Sequence, residues 1–260
     1  MGQKGINISV HWTRTLISDI VYYANKVPLC TIEKNININA VQIAKSNSLK
    51  RIGWTSIFTK AMGLASIEFD ELRQSWMSFP YAHLYQHTIP IASVAINRII
   101  DNQDTVVFGM VQKPESKPLS EITEALQHFK NSPIDSVALL KRMRRTSKFP
   151  WPIRAIIWNY GLYLSGYCKA KNFGTFSVSS VSQLDANTIH LLTPLTSALN
   201  YGPIATNGDC TIRLTFDHRV MDGLTIAKVL SFIKESINVS IREEIENQTE
   251  SQVVRTYAVE

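Results

Sequence analysis

Hydrophobic and polar residues in the first quarter of the chain follow a strand period and then a helical period. Residues 27–38 alternate and are rich in β-branched side chains, which predicts a strand. Asn39 is a favourable N-cap residue and predicts a short helix that ends near Ser46. Between residues 55 and 69 the apolar side chains lie on one helical face, which predicts an amphipathic helix. The pattern is therefore mixed α/β.

The middle of the chain predicts two strands followed by two helices. Residues 90–98 and 104–111 are apolar runs separated by an Asp-Asn-Gln sequence, which is typical of paired strands and their turn. Ser120 is the predicted N-cap of a helix that reaches about residue 130. Residues 133–145 predict a second helix, and a Phe-Pro-Trp-Pro sequence follows it. Proline cannot continue a helix, so the chain must turn there.

The last third of the chain predicts two strands, a helix and a polar end. Residues 174–181 and 211–216 have strand character, and residues 222–237 form an amphipathic helical pattern. No Pro/Gly/Ser-rich linker divides the chain. We therefore expect one domain over residues 1–240, followed by a polar acidic C-terminal tail over residues 241–260.

Composition excludes several classes of protein. The 260 residues are 45% hydrophobic and 18% charged, which is enough apolar surface for a folded core and excludes a mainly disordered chain. No apolar run reaches membrane-spanning length. The first residues lack the apolar stretch of a signal peptide, so we expect a cytoplasmic protein. Three widely spaced cysteines favour neither a disulfide framework nor a zinc site, and we expect no metal.

Positive charge is concentrated in one segment. The chain has a formal net charge of +6, and residues 141–171 contain many basic residues and no Asp or Glu. The basic residues of this segment are Lys141, Arg142, Arg144, Arg145, Lys148, Arg154, Lys169 and Lys171. The positive charge therefore needs a local explanation.

Aromatic and aliphatic residues follow the first of these basic residues, and three interpretations of the segment remain open. Residues 141–168 could form a peripheral membrane contact, with cations for anionic headgroups and aromatic rings at the boundary. They could instead bind the phosphates of coenzyme A or an acidic carrier protein. The third interpretation is a core helix with a solvated basic face. No sequence motif supports a nucleic-acid partner.

The candidate chemistry lies in residues 217–223, Asp-His-Arg-Val-Met-Asp-Gly, where a predicted strand turns into a helix. His218 follows the strand, where a neutral imidazole can act as a general base near pH 7. Asp222 begins the helix, where unpaired N–H groups favour a carboxylate. The alternative from spacing alone is a structural histidine in a capped turn.

The same run resembles the active-site signature of the dihydrolipoyl acyltransferase cores of 2-oxo acid dehydrogenase complexes. It is also similar to the His-x-x-x-Asp-Gly motif of chloramphenicol acetyltransferase. Residues 12–14 resemble the Trp-x-Arg of the acetyltransferase, and residues 68–73 resemble its Phe-Asp-Glu-Leu-Arg. Residues 176–180 resemble the Phe-Thr-Ile-Ser-Asn strand of the acyltransferase cores. The four stretches occur in the same order and span about residues 11–240.

The resemblance implies a chloramphenicol acetyltransferase-like fold, an α/β two-layer sandwich in which helices pack on a mixed sheet. It also implies a role for each matching residue. His218 deprotonates a thiol or hydroxyl for attack on a thioester carbonyl, and Ser179 donates a hydrogen bond to the tetrahedral oxyanion. Asp222 forms a structural ion pair with Arg14. The resemblance further implies a homotrimer with active sites between subunits, and coenzyme A thioester as co-substrate without a metal.

Two departures from the family pattern leave the function open. The pattern begins near Met1, so we expect no lipoyl or subunit-binding domain on this chain. The segment after Ser180 lacks the glycine-rich pattern of the acyltransferase cores. The first hypothesis is a stand-alone acyltransferase that moves an acyl group from acyl-CoA or acyl-carrier protein to a small-molecule or lipid-like acceptor. The alternatives are a non-catalytic trimeric scaffold, and a core that works with lipoyl domains on another chain.

Overall fold

The computed structural model describes residues 5–181 and 185–257. Its main sheet has six strands in the order β1-β8-β7-β6-β4-β5, and β2 and β3 form a separate two-stranded sheet. Strands β4, β6 and β7 are parallel, whereas β1, β8 and β5 pair antiparallel with their neighbours, so the main sheet is mixed. The strands are β1 Leu29–Asn37, β2 Gln74–Met77, β3 His83–Gln86, β4 Ile91–Ile100, β5 Gln103–Gln112, β6 Phe176–Ser179, β7 Ser197–Ile204 and β8 Asp209–Asp217.

Nine α-helices lie in the described ranges, with short irregular helical turns between some of them. The helices are α1 Trp12–Ala24, α2 Asn39–Asn47, α3 Trp54–Glu68, α4 Leu119–Asn131, α5 Ala138–Ser147, α6 Trp151–Asn159, α7 Gly166–Phe173, α8 Gly223–Ser236 and α9 Arg242–Tyr257. The turns are 3₁₀ at Asp70–Arg73 and Ile134–Ser136, and π-helical at Tyr160–Leu164 and Ile237–Ile241.

The two faces of the main sheet differ in chemistry. Phe176, Val178 and Leu199 on one face are buried in the main core, which includes apolar residues of α3, α4 and α8. Because side chains alternate along a strand, Ser177 and Ala198 lie on the other face. On β4, β6 and β7 this second face carries small and polar side chains, and helices α1, α5, α6 and α7 lie over it.

The strands predicted around residues 101–103 form a hairpin in one-to-one register. Asp101 and Asn102 connect β4 to β5 with φ values of 52° and 60°. A two-residue loop with positive φ at both positions has the right-handed twist that neighbouring strands require, and Asp and Asn tolerate it. The Asp-Asn sequence therefore gave a correct turn prediction.

The N-cap of α4 is Pro118, two residues before the predicted Ser120, and a side chain of α9 contacts the start of the helix. Helix α4 begins at Leu119, so Ser120 lies inside its first turn rather than before it. The backbone N–H of Leu119 donates to the Glu244 carboxylate at 2.9 Å, and the other oxygen of Glu244 forms an ion pair with Lys60. A carboxylate remote in sequence thus accepts a backbone N–H that has no partner within α4.

The expected polar tail begins as a packed helix. Helix α9 spans Arg242–Tyr257 and follows α8 through a π-helical turn. Ile241 and Ile245 are fully buried in the main core. The charged residues of the acidic stretch obscured these two buried positions, and the beginning of the 241–260 segment packs against the main core.

Candidate functional site

His218 lies at the surface, at the end of the sheet where β8 finishes. Its backbone N–H donates to the carbonyl oxygen of Pro28 at 3.1 Å, just before β1 begins. Its side chain is 50% exposed, and the Phe216 ring packs beside it with ring centroids 5.6 Å apart. The imidazole is therefore held by its backbone and remains accessible to a substrate.

A locked turn fixes the position of His218. Arg219 donates from Nε and Nη2 to the two carboxylate oxygens of Asp217, at 2.9 and 2.7 Å. The Asp217 carboxylate also accepts the backbone N–H of Arg219 at 3.0 Å, and it is almost completely buried. The Arg219 guanidinium lies 5.4 Å from the centroid of the Trp76 ring. A bidentate, partly desolvated pair of this kind makes the turn rigid.

Asp222 contacts the imidazole directly. Asp222 is the N-cap residue of α8, and its Oδ1 lies 3.3 Å from His218 Nδ1. A carboxylate at Nδ1 favours the tautomer in which Nε2 is unprotonated and free to accept a proton. The Asp222 side chain is 82% exposed in the single chain, so water weakens this pairing.

The structure does not form the predicted Arg14–Asp222 ion pair. Arg14 is exposed on the first turn of α1. His11, the residue before α1, lies 3.0 Å from Asp101 in the β4–β5 turn. That turn lies at the opposite end of the sheet from His218, since β8 runs antiparallel to β7 and β4 runs parallel to it. The whole sheet therefore separates the two residues within one chain.

Ser179 is the last residue of β6 and lies far from His218 in the same chain. Ser179 pairs with Asn200 on β7, and Asn200 pairs with Arg213 on β8. His218 is five residues beyond Arg213. With strands about 4.8 Å apart and a rise of about 3.3 Å per residue, Ser179 and His218 are separated by roughly 15–20 Å. One chain alone cannot bring both side chains to one carbonyl group.

A buried polar cluster that the sequence analysis missed lies close to the His218 turn. Ser75 Oγ and His87 Nε2 are 2.9 Å apart, and both residues are buried. Burial lowers the pKa of the Lys169 ammonium group to about 8, and the nearby Asp217 carboxylate opposes this shift. Burial, reinforced by Lys169, lowers the pKa of His87 to about 4. Residues 75, 87 and 169 share no sequence spacing that would have revealed the cluster.

The described part of the chain contains no cluster of potential metal ligands. Nowhere in residues 5–181 and 185–257 do three histidine, cysteine or acidic side chains come together as ligands would.

A cavity of about 550 Å³ lies between the main sheet and helices α1, α5, α6 and α7. Ser179 and Ser177 line it from the sheet, and residues 191–195 close one side. The rest of its wall is predominantly apolar. Arg142 on α5 and Asn172 on α7 also line it, and the two side chains are hydrogen-bonded at 2.8 Å. No local pattern in the sequence predicts this cavity.

The basic aromatic segment is only partly a core element. Trp158 and Leu162 are buried in a small cluster with Tyr23 of α1, as the core interpretation requires. Arg154 is bound to the buried Asp19 carboxylate, with Nε–Oδ2 at 2.8 Å. Several large apolar side chains of the segment are nevertheless exposed, namely Trp151, Ile153, Ile156, Ile157, Tyr160, Leu164 and Tyr167.

The expected fold is confirmed: the chain has the fold of the catalytic cores of dihydrolipoamide acyltransferases. The truncated catalytic core of the 2-oxoacid dehydrogenase multienzyme complex from Thermoplasma acidophilum is 14% identical. That match covers 90% of this chain and 99% of that chain, with a TM-score of 0.63. A probable dihydrolipoamide acetyltransferase from Listeria monocytogenes is 17% identical, with 95% and 96% covered and a TM-score of 0.61.

The dihydrolipoamide acetyltransferase of Azotobacter vinelandii is also similar, at 14% identity and a TM-score of 0.61. The match covers 93% of this chain and 95% of that chain. No family model and no curated protein matches the chain. At these identities the similarity shows the fold alone, and the chemistry must be argued from the site.

Proposed function

We propose that this chain is an acyltransferase that moves an acyl group from an acyl-CoA or acyl-carrier-protein thioester to a hydroxyl or amine. The observation that carries the proposal is the accessible imidazole of His218, fixed by the Asp217–Arg219 pair and contacted at Nδ1 by Asp222. A structural histidine has no need of a free Nε2 at the surface. The proposal gives His218 the role of general base.

The reaction follows from the position of the free ring nitrogen. His218 Nε2 takes the proton of the acceptor as the acceptor oxygen or nitrogen attacks the thioester carbonyl carbon, because the neutral acceptor is a weak nucleophile. The carbonyl oxygen becomes an oxyanion, which the Ser179 hydroxyl stabilises by donating a hydrogen bond. The intermediate then collapses, the C–S bond breaks, and the leaving thiolate takes the proton from the imidazolium.

The proposal requires Ser179 to come from a second copy of the chain. Within one chain Ser179 and His218 are roughly 15–20 Å apart, a distance that no side-chain rotation closes. A cyclic homotrimer in which each His218 faces the Ser179 of a neighbour would give three equal sites. Arg14 and the exposed Asp222 carboxylate would also be free to meet across such an interface. The cubic core of the pyruvate dehydrogenase multienzyme complex is built from a similar fold, which supports the idea that this fold assembles into oligomers.

Residue spacing in a similar enzyme supports the roles of these side chains. The Azotobacter vinelandii enzyme has been investigated for the role of a serine, a histidine and an asparagine in its catalytic mechanism, and that histidine and asparagine are four residues apart. His218 and Asp222 have the same spacing. We infer that Asp222 supports the base here.

Thiol release from acyl-CoAs of increasing chain length, without an acceptor, tests the proposed activity. Water replaces the acceptor slowly in this assay, so the natural acceptor need not be known. We expect release above the buffer rate for at least one donor. Absence of release from every CoA thioester and from acylated carrier protein would contradict the proposal and favour the non-catalytic scaffold. Release only from lipoyl-bound acyl groups would favour a core that works with lipoyl domains on another chain.

We also propose that the exposed apolar face of α6 and the turn after it contacts an anionic lipid surface. Helix α6 exposes Trp151, Ile153 and Ile156, and exposed cations such as Lys148 lie just before it in sequence. Apolar and aromatic side chains beside exposed cations suit the boundary of an anionic bilayer. None of the helices in the described ranges is long and apolar enough to cross a membrane.

Flotation with liposomes tests this contact. We expect the protein to float with vesicles that contain phosphatidylglycerol and to float much less with neutral vesicles. Ile153→Asp should reduce flotation, whereas Ile43→Asp on the exposed face of α2 should not. If Ile153→Asp changed the oligomer mass and left flotation intact, the face would be an interface between copies and the membrane contact would be wrong.

A further inference from the structure

The cavity above Ser179 exists because small side chains occupy the sheet beneath it. Ser93, Ser177 and Ala198 are neighbours in register across β4, β6 and β7, and Ala95 follows on the same face of β4. The overlying helices do not collapse onto these small residues. Asp19 of α1 binds Arg154 and the indole N–H of Trp158, the latter at 3.1 Å, so α1 and α6 are joined to each other. The space is therefore built into the fold.

The wall of the cavity favours a hydrocarbon. Leu16 and Ile20 of α1, Phe108 and Met110 of β5, and Ile157 of α6 line it. The Ser177 hydroxyl is hydrogen-bonded to the Thr193 hydroxyl, with the two oxygens 3.1 Å apart. A cavity lined in this way binds apolar ligands in preference to water.

We infer that this cavity receives the hydrocarbon chain of the acyl donor and that the donor carries a medium or long acyl chain. The inference rests on the proposed function, because Ser179 is the residue that would hold the thioester carbonyl. Ser179 also lines the cavity, so a chain attached to that carbonyl has the cavity beside it. The hydrocarbon chain is assigned to the donor because it is attached to the thioester carbonyl, which is part of the donor.

The volume of the cavity sets the class of acyl group. A methylene group fills roughly as much space as one water molecule, about 30 Å³. A cavity of about 550 Å³ therefore has the volume of roughly 18 methylene groups, which is enough for a medium or long acyl chain. An acetyl group would leave nearly all of this apolar space without contacts.

Two polar side chains at the edge of the cavity suit the phosphate-bearing part of the donor. The hydrogen-bonded pair of Arg142 and Asn172 lines the cavity, and the Arg142 residue is exposed. A cation at this position can meet the negative charge of a phosphate while the chain occupies the apolar interior.

Displacement of a fluorescent fatty acid, cis-parinaric acid, by saturated acyl-CoAs from C2 to C16 measures chain binding without catalysis. We expect affinity to rise about fourfold with each added methylene until the cavity is full, and then to level off.

Ala95→Leu adds three carbon atoms to the cavity wall and should shorten the longest useful chain by about two or three carbons. Ala227→Leu, on the exposed face of α8, is the matched control and should leave the series unchanged.

The two proposals can fail separately in these experiments. Thiol release from acetyl-CoA, without any gain in affinity along the series, would overturn the chain-binding inference and leave the acyl transfer proposal standing. An Ala95→Leu series identical to that of the wild type would also overturn the inference. Chain-dependent binding without cleavage of any thioester would contradict the proposed acyl transfer and retain a site for hydrocarbon chains.

Discussion

Replacing His218 with alanine is expected to lower the rate of acyl-thioester cleavage by roughly 10²–10⁴-fold, the usual contribution of a general base. The imidazole is the group that would remove the acceptor proton, and Asp222 cannot replace it because its carboxylate lies on the Nδ1 side of the ring. Since His218 is half exposed, alanine leaves no buried cavity and the protein should remain folded. Thiol release with saturating donor measures the effect.

His128→Ala provides the matched control for this variant. His128 is exposed on α4, on the opposite side of the sheet from the cavity, and its Nδ1 lies 2.9 Å from Ser132 Oγ. Its replacement should leave the rate unchanged. Equal rates for His218→Ala and the wild type, with both proteins folded by circular dichroism, would remove His218 from the mechanism.

Ser179→Ala has the second largest expected effect, a loss of about 10²–10³-fold in kcat, the typical result of removing one oxyanion donor. The hydrogen bond strengthens only as negative charge develops on the carbonyl oxygen, so KM should change little. A serine that merely lined the cavity would alter KM instead. Steady-state kinetics over a range of donor concentrations separates the two results.

Ser120→Ala is the matched control for Ser179→Ala. Ser120 lies in the first turn of α4, outside the cavity and away from His218. Its replacement should change neither kcat nor KM. An unchanged kcat for Ser179→Ala would mean that another group stabilises the oxyanion, and it would also remove the reason for placing the acyl carbonyl beside the cavity.

Strands and helices with a clear period could be predicted from the sequence, whereas elements without one could not. The hairpin around Asp101 and Asn102 and the helix at 223–236 have strong local signals. Strand β7 was missed because six of its eight residues are buried, so polar and apolar positions do not alternate. The β2–β3 pair was missed because each strand has only four residues.

The candidate site divides in a similar way. His218 and Asp222 belong to one continuous motif, so their contact was accessible from the sequence. The positions of Arg14 and Ser179 depend on sheet order and strand direction, which no local pattern reveals. The cavity likewise depends on register, since Ser93, Ser177 and Ala198 become one row of small residues only when β4, β6 and β7 are paired.

We propose that each active site combines His218 of one chain with Ser179 of another. We would coexpress the His218→Ala and Ser179→Ala variants in equal amounts and purify all the resulting oligomers together. In a cyclic homotrimer with random assembly, about a quarter of the sites would receive both intact residues. We expect thiol release to recover to about a quarter of the wild-type rate, far above either variant alone. A mixture as inactive as its two components would contradict a shared site.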